Sequence, residues 1–255
     1  MSAAIVLAAG RGSRLGRHAR HLPKALVRAG GRTLLDWQLQ ALRACGIERI
    51  VVVGGYRGEQ LARTGVELVL AARWNETGPI ASLLAARPAR FDDGFVLAYA
   101  DCPHHPANIA ALLAAHAEVA VAGDRAWQAL WRARHGDPLV DAESYVADGG
   151  RLRAIGATPH SLDEVQAQFA GLVRFSAAGW ARAEPLAHAA HDATALLAAM
   201  LREGIAVADV PLAGRWCEID GAQDLRLCRR HLHANDAWSH DWREPVAQGM
   251  GASWA

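Results

Sequence analysis

The stretch "AAIVLAAGRGSRLG", residues 3 to 16, carries an unbroken apolar run into a loop of glycines and arginines. Such a run suits a strand covered on both faces of a parallel sheet, where no side chain points to water. Gly10, Gly12 and Gly16 strip the loop of bulk, and Arg11 and Arg14 give it fixed positive charge. Glycines let backbone N–H groups close around an oxyanion, a following helix N-terminus adds partial positive charge, and arginines add charge-assisted donors. The loop reads as an anion cradle, with a tight turn bearing solvated arginines as the plain alternative. Two familiar phosphate loops are excluded by single residues. A P-loop needs Lys followed by Ser or Thr after its last glycine, where this chain has Arg17. The dinucleotide fingerprint needs a third glycine where Leu15 stands.

Outward from the loop, "TLLDWQLQALRACG" (33–46) has helical spacing, a capping pattern in Thr33 and Asp36, and Gly46 as a stop. "ERIVVVGGY" (48–56), "VELVLA" (66–71), "GFVLAYAD" (94–101) and "EVAVAG" (118–123) read as strands, with helices near 78–87 and 106–116. Strands alternating with helices predict βαβ units and a parallel sheet. After about residue 124 the pattern changes. "ESYVADGGRLRAIG" (143–156) reads as a hairpin about Gly149-Gly150, and "FAGLVRFS" (169–176) as a further strand. A helix near 192–203, strands in "IAVADVPL" (205–212) and "RWCEID" (215–220), and a helix near 221–233 complete the prediction. The expectation is one domain over 1–243 with a more antiparallel insertion at about 124–180, and a flexible tail at 244–255.

A formal net charge of +1 argues against a nucleic-acid partner, which normally brings a basic excess. The four cysteines lack metal or disulfide spacing, the N-terminal apolar run has no basic leader before it, and no segment looks long and apolar enough to span a bilayer. A cytoplasmic protein with free thiols and no membrane contact is expected. Trp238 and Trp242, near the end of the chain, are expected to pack against the body or against a second copy in a homodimer.

Six residues separate Gly16 from "PKAL", which carries Lys24. Loop, spacer and Pro-Lys together resemble the nucleotidyltransferase family, whose signature is LAAGxGxRL, a short spacer and then PK. The resemblance implies a Rossmann-like, mostly parallel mixed sheet of the GT-A-like type with a small antiparallel insertion. It implies that Leu7, Ala8, Ala9, Gly10, Arg11, Gly12, Ser13 and Arg14 wrap a nucleoside triphosphate, with Lys24, Arg14 and Arg11 as the catalytic cations. Two aspartates end predicted strands: Asp101 in "AYAD" and Asp220 in "EID". Alone, each would pass for a turn former or helix cap. The resemblance assigns both to a Mg²⁺ ion, and Asp101 also to the nucleotide.

"RWNETGPIASLL" (73–84), with Asn75, Thr77, Gly78 and Ser82, either caps a helix or, as the resemblance implies, reads base and ribose. Its form is similar to that of the phosphocholine and 2-aminoethylphosphonate cytidylyltransferases, which implies CTP and a small phosphate or phosphonate acceptor. An acceptor with an ammonium head would suit Trp127 and Trp131 on one helix face, with Asp137, Asp141, Glu143, Glu164 and Glu218 as carboxylate candidates. Core packing is the plainer role for two tryptophans at that spacing. A phosphate monoester is largely dianionic near neutral pH and needs no general base; the chain shows no nucleophile motif. The competing functions are a sugar-1-phosphate nucleotidyltransferase using another NTP, and a non-catalytic nucleotide-binding member of the fold.

Overall fold

The computed structural model describes residues 3–234 and 236–243; the predicted tail at 244–255 lies outside them. The apolar runs become strands β1 (Ala3–Ala8), β2 (Ile50–Gly54), β3 (Glu67–Leu70), β4 (Phe95–Tyr99) and β5 (Val119–Asp124). The hairpin gives β6 (Tyr145–Asp148) and β7 (Arg151–Ile155), followed by β8 (Gln168–Phe175) and β9 (Ala208–Leu212). All nine join one sheet in the order β3-β2-β1-β4-β8-β5-β9-β7-β6. β1 lies parallel between β2 and β4, with Val6 opposite Val52 and Ala98. β8 runs antiparallel between β4 and β5, and the β6–β7 hairpin closes the far edge.

Alternate residues of β1 serve two apolar layers. Ala4, Val6 and Ala8 pack on one side; Ala3, Ile5 and Leu7 pack on the other. The first layer is covered by α1 (Leu34–Ala44), α3 (Pro106–Leu113), α4 (Trp127–His135) and α7 (Ala222–Ala234). The second is covered by α2 (Pro79–Ala85), α5 (Ala177–Ala187) and α6 (Ala193–Arg202). Thr33 caps α1 as its spacing predicts, its hydroxyl accepting from the Asp36 N–H at 3.1 Å.

Three local features differ from the sequence reading. The glycine loop feeds a 3₁₀ segment, Ser13–Ala19, broken at Gly16 (φ 56°), so no α-helix begins directly after the loop. "RWCEID" is not a sheet strand: Trp216 makes an isolated bridge to His104, and the segment's polar side chains serve ion pairs instead. Helix α5, which carries Pro185 inside it, went unforeseen.

Asp124, at the end of β5, is fully buried and accepts from Gly214 N (2.8 Å), Ala126 N (2.9 Å), Trp216 Nε1 (3.0 Å) and His240 Nε2 (3.0 Å). Burial opposes its charge, yet the His240 pairing and the backbone donors hold its carboxyl below the ordinary range. This one carboxylate pins the C-terminal segment and the loop after β9 to the sheet. Trp242 is buried and Trp238 half-buried on the same apolar layer, so this end packs on the body of its own chain.

His104 stacks on Trp216 with ring centroids 5.6 Å apart, donates from Nε2 to Ala170 O (2.7 Å), and accepts at Nδ1 from the Asn108 amide (3.3 Å). A second proton at Nδ1 would meet that amide donor without water. Burial pushes the His104 pKa down to about 4, against the pull of Ala170 O and Asp124. A lowered folded pKa means that the unfolded chain binds the proton first. The stability that neutral His104 contributes is therefore present in full above about pH 6.5 and falls by up to about 3 kcal/mol as pH drops toward 4. Urea unfolding at stepped pH should show that slope, and His104→Gln should flatten it; equal slopes in both proteins would refute the assignment.

Candidate active site

The loop after β1 and the ends of the neighbouring strands enclose a cavity of about 330 Å³. Leu7 to Gly10 and Gly12 to Arg14 form one wall; Thr77, Gly78 and Ser82, at the start of α2, form another beside Trp74. Gly12 is left-handed (φ 71°), and a Cβ there would lie 2.9 Å from the Lys24 Cβ. The Lys24 N–H donates to Gly10 O at 3.3 Å. Loop and lysine are thus fitted to one another through a position only glycine fills.

Lys24 Nζ stands 2.5 Å from Asp101 Oδ2 and 2.6 Å from Asp220 Oδ1, and Arg14 Nη2 lies 3.3 Å from the same Asp220 oxygen. The acids come together because residues 101–105 and 215–219 run side by side: Ile219 N donates to Asp101 O (3.1 Å) and His105 N to Arg215 O (2.9 Å). Burial disfavours charge on Lys24, but the two carboxylates outweigh it and push its pKa above the usual lysine value. Lys24 and Arg14, in turn, hold Asp220 below the carboxylate range against its own burial.

Arg134, on α4, escaped the sequence reading. It is buried and donates to Glu218 Oε2 (2.8 Å) and Asp224 Oδ1 (3.0 Å), with Asp220 Oδ2 at 3.8 Å. The other Asp224 oxygen accepts from the backbone N–H groups of Asp220 (2.9 Å) and Gly221 (2.8 Å). Asp220 is therefore fixed through its backbone as well as its charge. Glu218 is pushed up to about 7 by burial and by Asp220, with Arg134 pulling the other way. The only sequence signal for Arg134 is the run of basic residues ending a helix beside two tryptophans.

A second cavity, of about 460 Å³, shares Arg14, Pro79, Tyr99 and Asp220 with the first. Among the predicted residues it gathers Trp131, Asp141, Glu143 and Glu218, and it adds Asp192. Asp192 caps α6 by accepting from Ala195 N at 2.9 Å. Glu143 is pushed up by burial, then by Asp192 and Asp141.

The expected residues Arg11, Asn75, Asp137 and Glu164 lie outside the lining of both cavities. Arg11 is exposed and lies over the Tyr56 ring at 5.3 Å, outside the cavity lining. Asn75 is exposed, and its neighbour Trp74 takes the place in the lining. Asp137 is exposed and shapes a turn by accepting from Leu139 N, while Glu164 accepts from His160 N; neither lines the second cavity. Trp127 is buried core, and the face of Trp131 carries the Arg134 guanidinium at 4.7 Å.

Among the described residues no group of three or more His, Cys, Asp or Glu side chains is placed to hold a metal. Asp101 and Asp220 nevertheless aim one oxygen each at a single cationic nitrogen within 2.6 Å. Two hard carboxylates around one cation position are a donor set that suits Mg²⁺ completed by phosphate oxygens and water.

A model of the MobA-like NTP transferase domain matches residues 4–206. The chain belongs to this family. It is 28% identical over 247 residues to the CTP:phosphoglutamine cytidylyltransferase of Campylobacter jejuni, a match covering 88% of this chain and 98% of that protein. It is 35% identical over 233 residues to the bifunctional IPC transferase and DIPP synthase of Rubrobacter xylanophilus, covering 88% of this chain but only 50% of that protein. The solved inositol-1-phosphate CTP transferase of T. maritima shares the fold, with a TM-score of 0.70, 22% identity, and coverage of 91% of this chain and 96% of that one. The protein is a nucleotidyltransferase with the mixed α/β sheet its glycine loop implies. No helix among the described residues is long and apolar enough to cross a membrane.

Gly12→Ala should cost about 1–2 kcal/mol for the left-handed backbone, and should reduce turnover far more than that cost explains because the added methyl displaces Lys24. Thermal unfolding and kcat measured on one preparation test this; a variant that loses stability but keeps its turnover would separate the glycine from the lysine.

Proposed function

We propose that the protein is a Mg²⁺-dependent cytidylyltransferase, joining CTP to a small phosphate or phosphonate acceptor that carries an ammonium group and releasing pyrophosphate. The observation that carries this reading is the meeting of the two cavities at Arg14 and Asp220, beside Lys24. The loop cavity holds the nucleotide, the second holds the acceptor, and transfer takes place at the wall they share.

An acceptor phosphate oxygen attacks the α-phosphorus; the new P–O bond forms as the bond to the bridging oxygen breaks, and its electron pair leaves with pyrophosphate. No base is required, since the attacking group is already anionic. The remaining barrier is anion–anion repulsion, and positioned cations lower it. The N–H groups from Gly10 to Arg14 receive the triphosphate, Lys24 meets charge developing at the α-phosphate, and Arg14 faces both reactants. Asp101 and Asp220 would hold the Mg²⁺, which when bound would offset charge on the triphosphate.

CTP is supported by the nucleotide named for the C. jejuni and T. maritima relatives. The acceptor class is supported by charge: Asp141, Glu143, Asp192 and Glu218 line the second cavity, with Arg14 as the cation of its lining. A phosphate directed at Arg14 leaves a distal ammonium among carboxylates.

Pyrophosphate release should be greatest with CTP among the four NTPs, and with phosphocholine, phosphoethanolamine or 2-aminoethylphosphonate rather than a hexose 1-phosphate. Lys24→Ala and Asp101→Ala should each lower kcat by about 10³-fold or more with the fold intact. Glu143→Gln should raise the acceptor KM by about tenfold while moving kcat little. A preference for a hexose 1-phosphate, or near-normal rates without Lys24, would overturn the reading.

A further inference from the structure

The Lys24 ammonium and a divalent ion on Asp101 and Asp220 would need the same place. Nζ already lies 2.5 Å and 2.6 Å from the two oxygens that face each other across the site. An ion bound by those oxygens sits about 2.0–2.1 Å from each, which leaves no room for a nitrogen between them and sets two positive charges in contact. The three side chains are largely shielded from water, Lys24 being 12% exposed and the aspartates 21% and 16%. Within the lining of the loop cavity Asp101 and Asp220 are the carboxylates, so the ammonium has no other anion there until phosphates enter.

We infer that Lys24 is the resident counter-ion of the nucleotide-free enzyme, and that it yields the position between Asp101 and Asp220 to the divalent ion only when a triphosphate arrives to receive its ammonium. This rests on the assignment of the two aspartates to the metal. Two consequences follow from the exchange. Metal alone binds weakly, because occupying the site means stranding a shielded ammonium. Metal and nucleotide favour each other's binding, since each removes a cost the other would meet, and that coupling is reciprocal. Gly12 and the Gly10 carbonyl hold the lysine backbone in place, so the exchange is a side-chain movement that the loop does not have to follow. The same ammonium thus neutralises the acids at rest and stands ready beside the phosphates in the loaded enzyme.

The test is direct binding of Mn²⁺, followed by the spin-resonance signal of the free ion, to the full-length wild type and to Lys24→Met without nucleotide. Lys24→Met should bind Mn²⁺ about tenfold or more tightly than wild type, since it removes a competing unit charge at contact distance. Adding Asp101→Asn to Lys24→Met should abolish that gain; a gain that survived would place the ion elsewhere and overturn the inference. Calorimetry of CTP with and without Mn²⁺, in wild type without acceptor, separates the exchange from the metal assignment. If CTP binds more tightly with Mn²⁺ while Lys24→Met holds Mn²⁺ no better than wild type, the exchange is wrong and the assignment stands. If CTP binding is indifferent to Mn²⁺, both fall. Should Lys24→Met be too unstable to titrate, its thermal unfolding reads the same occupancy: a midpoint that climbs with Mn²⁺ in the variant and not in wild type supports the exchange, and a flat response in both overturns it.

Discussion

The ammonium of Lys24 reaches two carboxylates that arrive from distant parts of the chain, and keeping Asp101 and Asp220 at the same nitrogen sets demands on everything around them. Two partly desolvated anions repel unless a cation stands between them. The cation comes from the end of the glycine loop, the first acid from the end of β4, and the second from the crossing between β9 and α7. Only a sheet in which β1 and β4 are parallel neighbours, with the later segment returning over their C-terminal ends, brings the three together. That is also the end of an open α/β sheet at which ligands bind.

Two buried clusters keep the geometry from relaxing. Arg134 ties Glu218 to Asp224, and Asp224 in turn holds the backbone on which Asp220 sits. Asp124 gathers Trp216, Gly214 and His240, so the strip leading to Asp220 is fixed from both sides. Each buried charge here has several partners, which is the condition under which burying it does not cost the fold its stability. No member of either cluster is itself in the lining of the loop cavity, yet both determine where its second acid stands.

Much of this was legible from the residues. The apolar runs gave the parallel strands because a doubly covered strand leaves no polar position, and the loop with its Pro-Lys pair pointed to Lys24 because the chemistry of a polyanion restricts what can surround it. Where sequence and cavity part, the cause is local. Arg11 and Asn75 share a motif with residues of the lining, but neighbouring residues in an irregular loop point in different directions, and the lining takes Arg14, as expected, and Trp74, which no pattern marks. "RWCEID" has strand-like composition, but its alternating polar groups answer to Arg134 and Lys24 and not to a ladder. Arg134 and Asp124 are hard to read from sequence because their roles exist only in contacts between segments far apart in the chain, and the basic run around Arg134 does not say which partners it meets.

On the proposed reading, the electrostatic difference between the two cavities also orients the reactants. The loop cavity brings Lys24, Arg14 and a row of backbone donors to a ligand that is anionic along its length. The second cavity is rich in carboxylates except where Arg14 enters it. An acceptor anionic at one end and cationic at the other has one favourable direction there, with its anion toward the shared wall and its cation toward Glu143 and Asp192. A sugar phosphate has no such second charge, and the carboxylates would have only its hydroxyls to bond, without the charge complementarity an ammonium brings. On the proposed reading, acceptor choice here is thus set less by shape at the reacting phosphate, which every acceptor presents alike, than by the charge of the wall farthest from it.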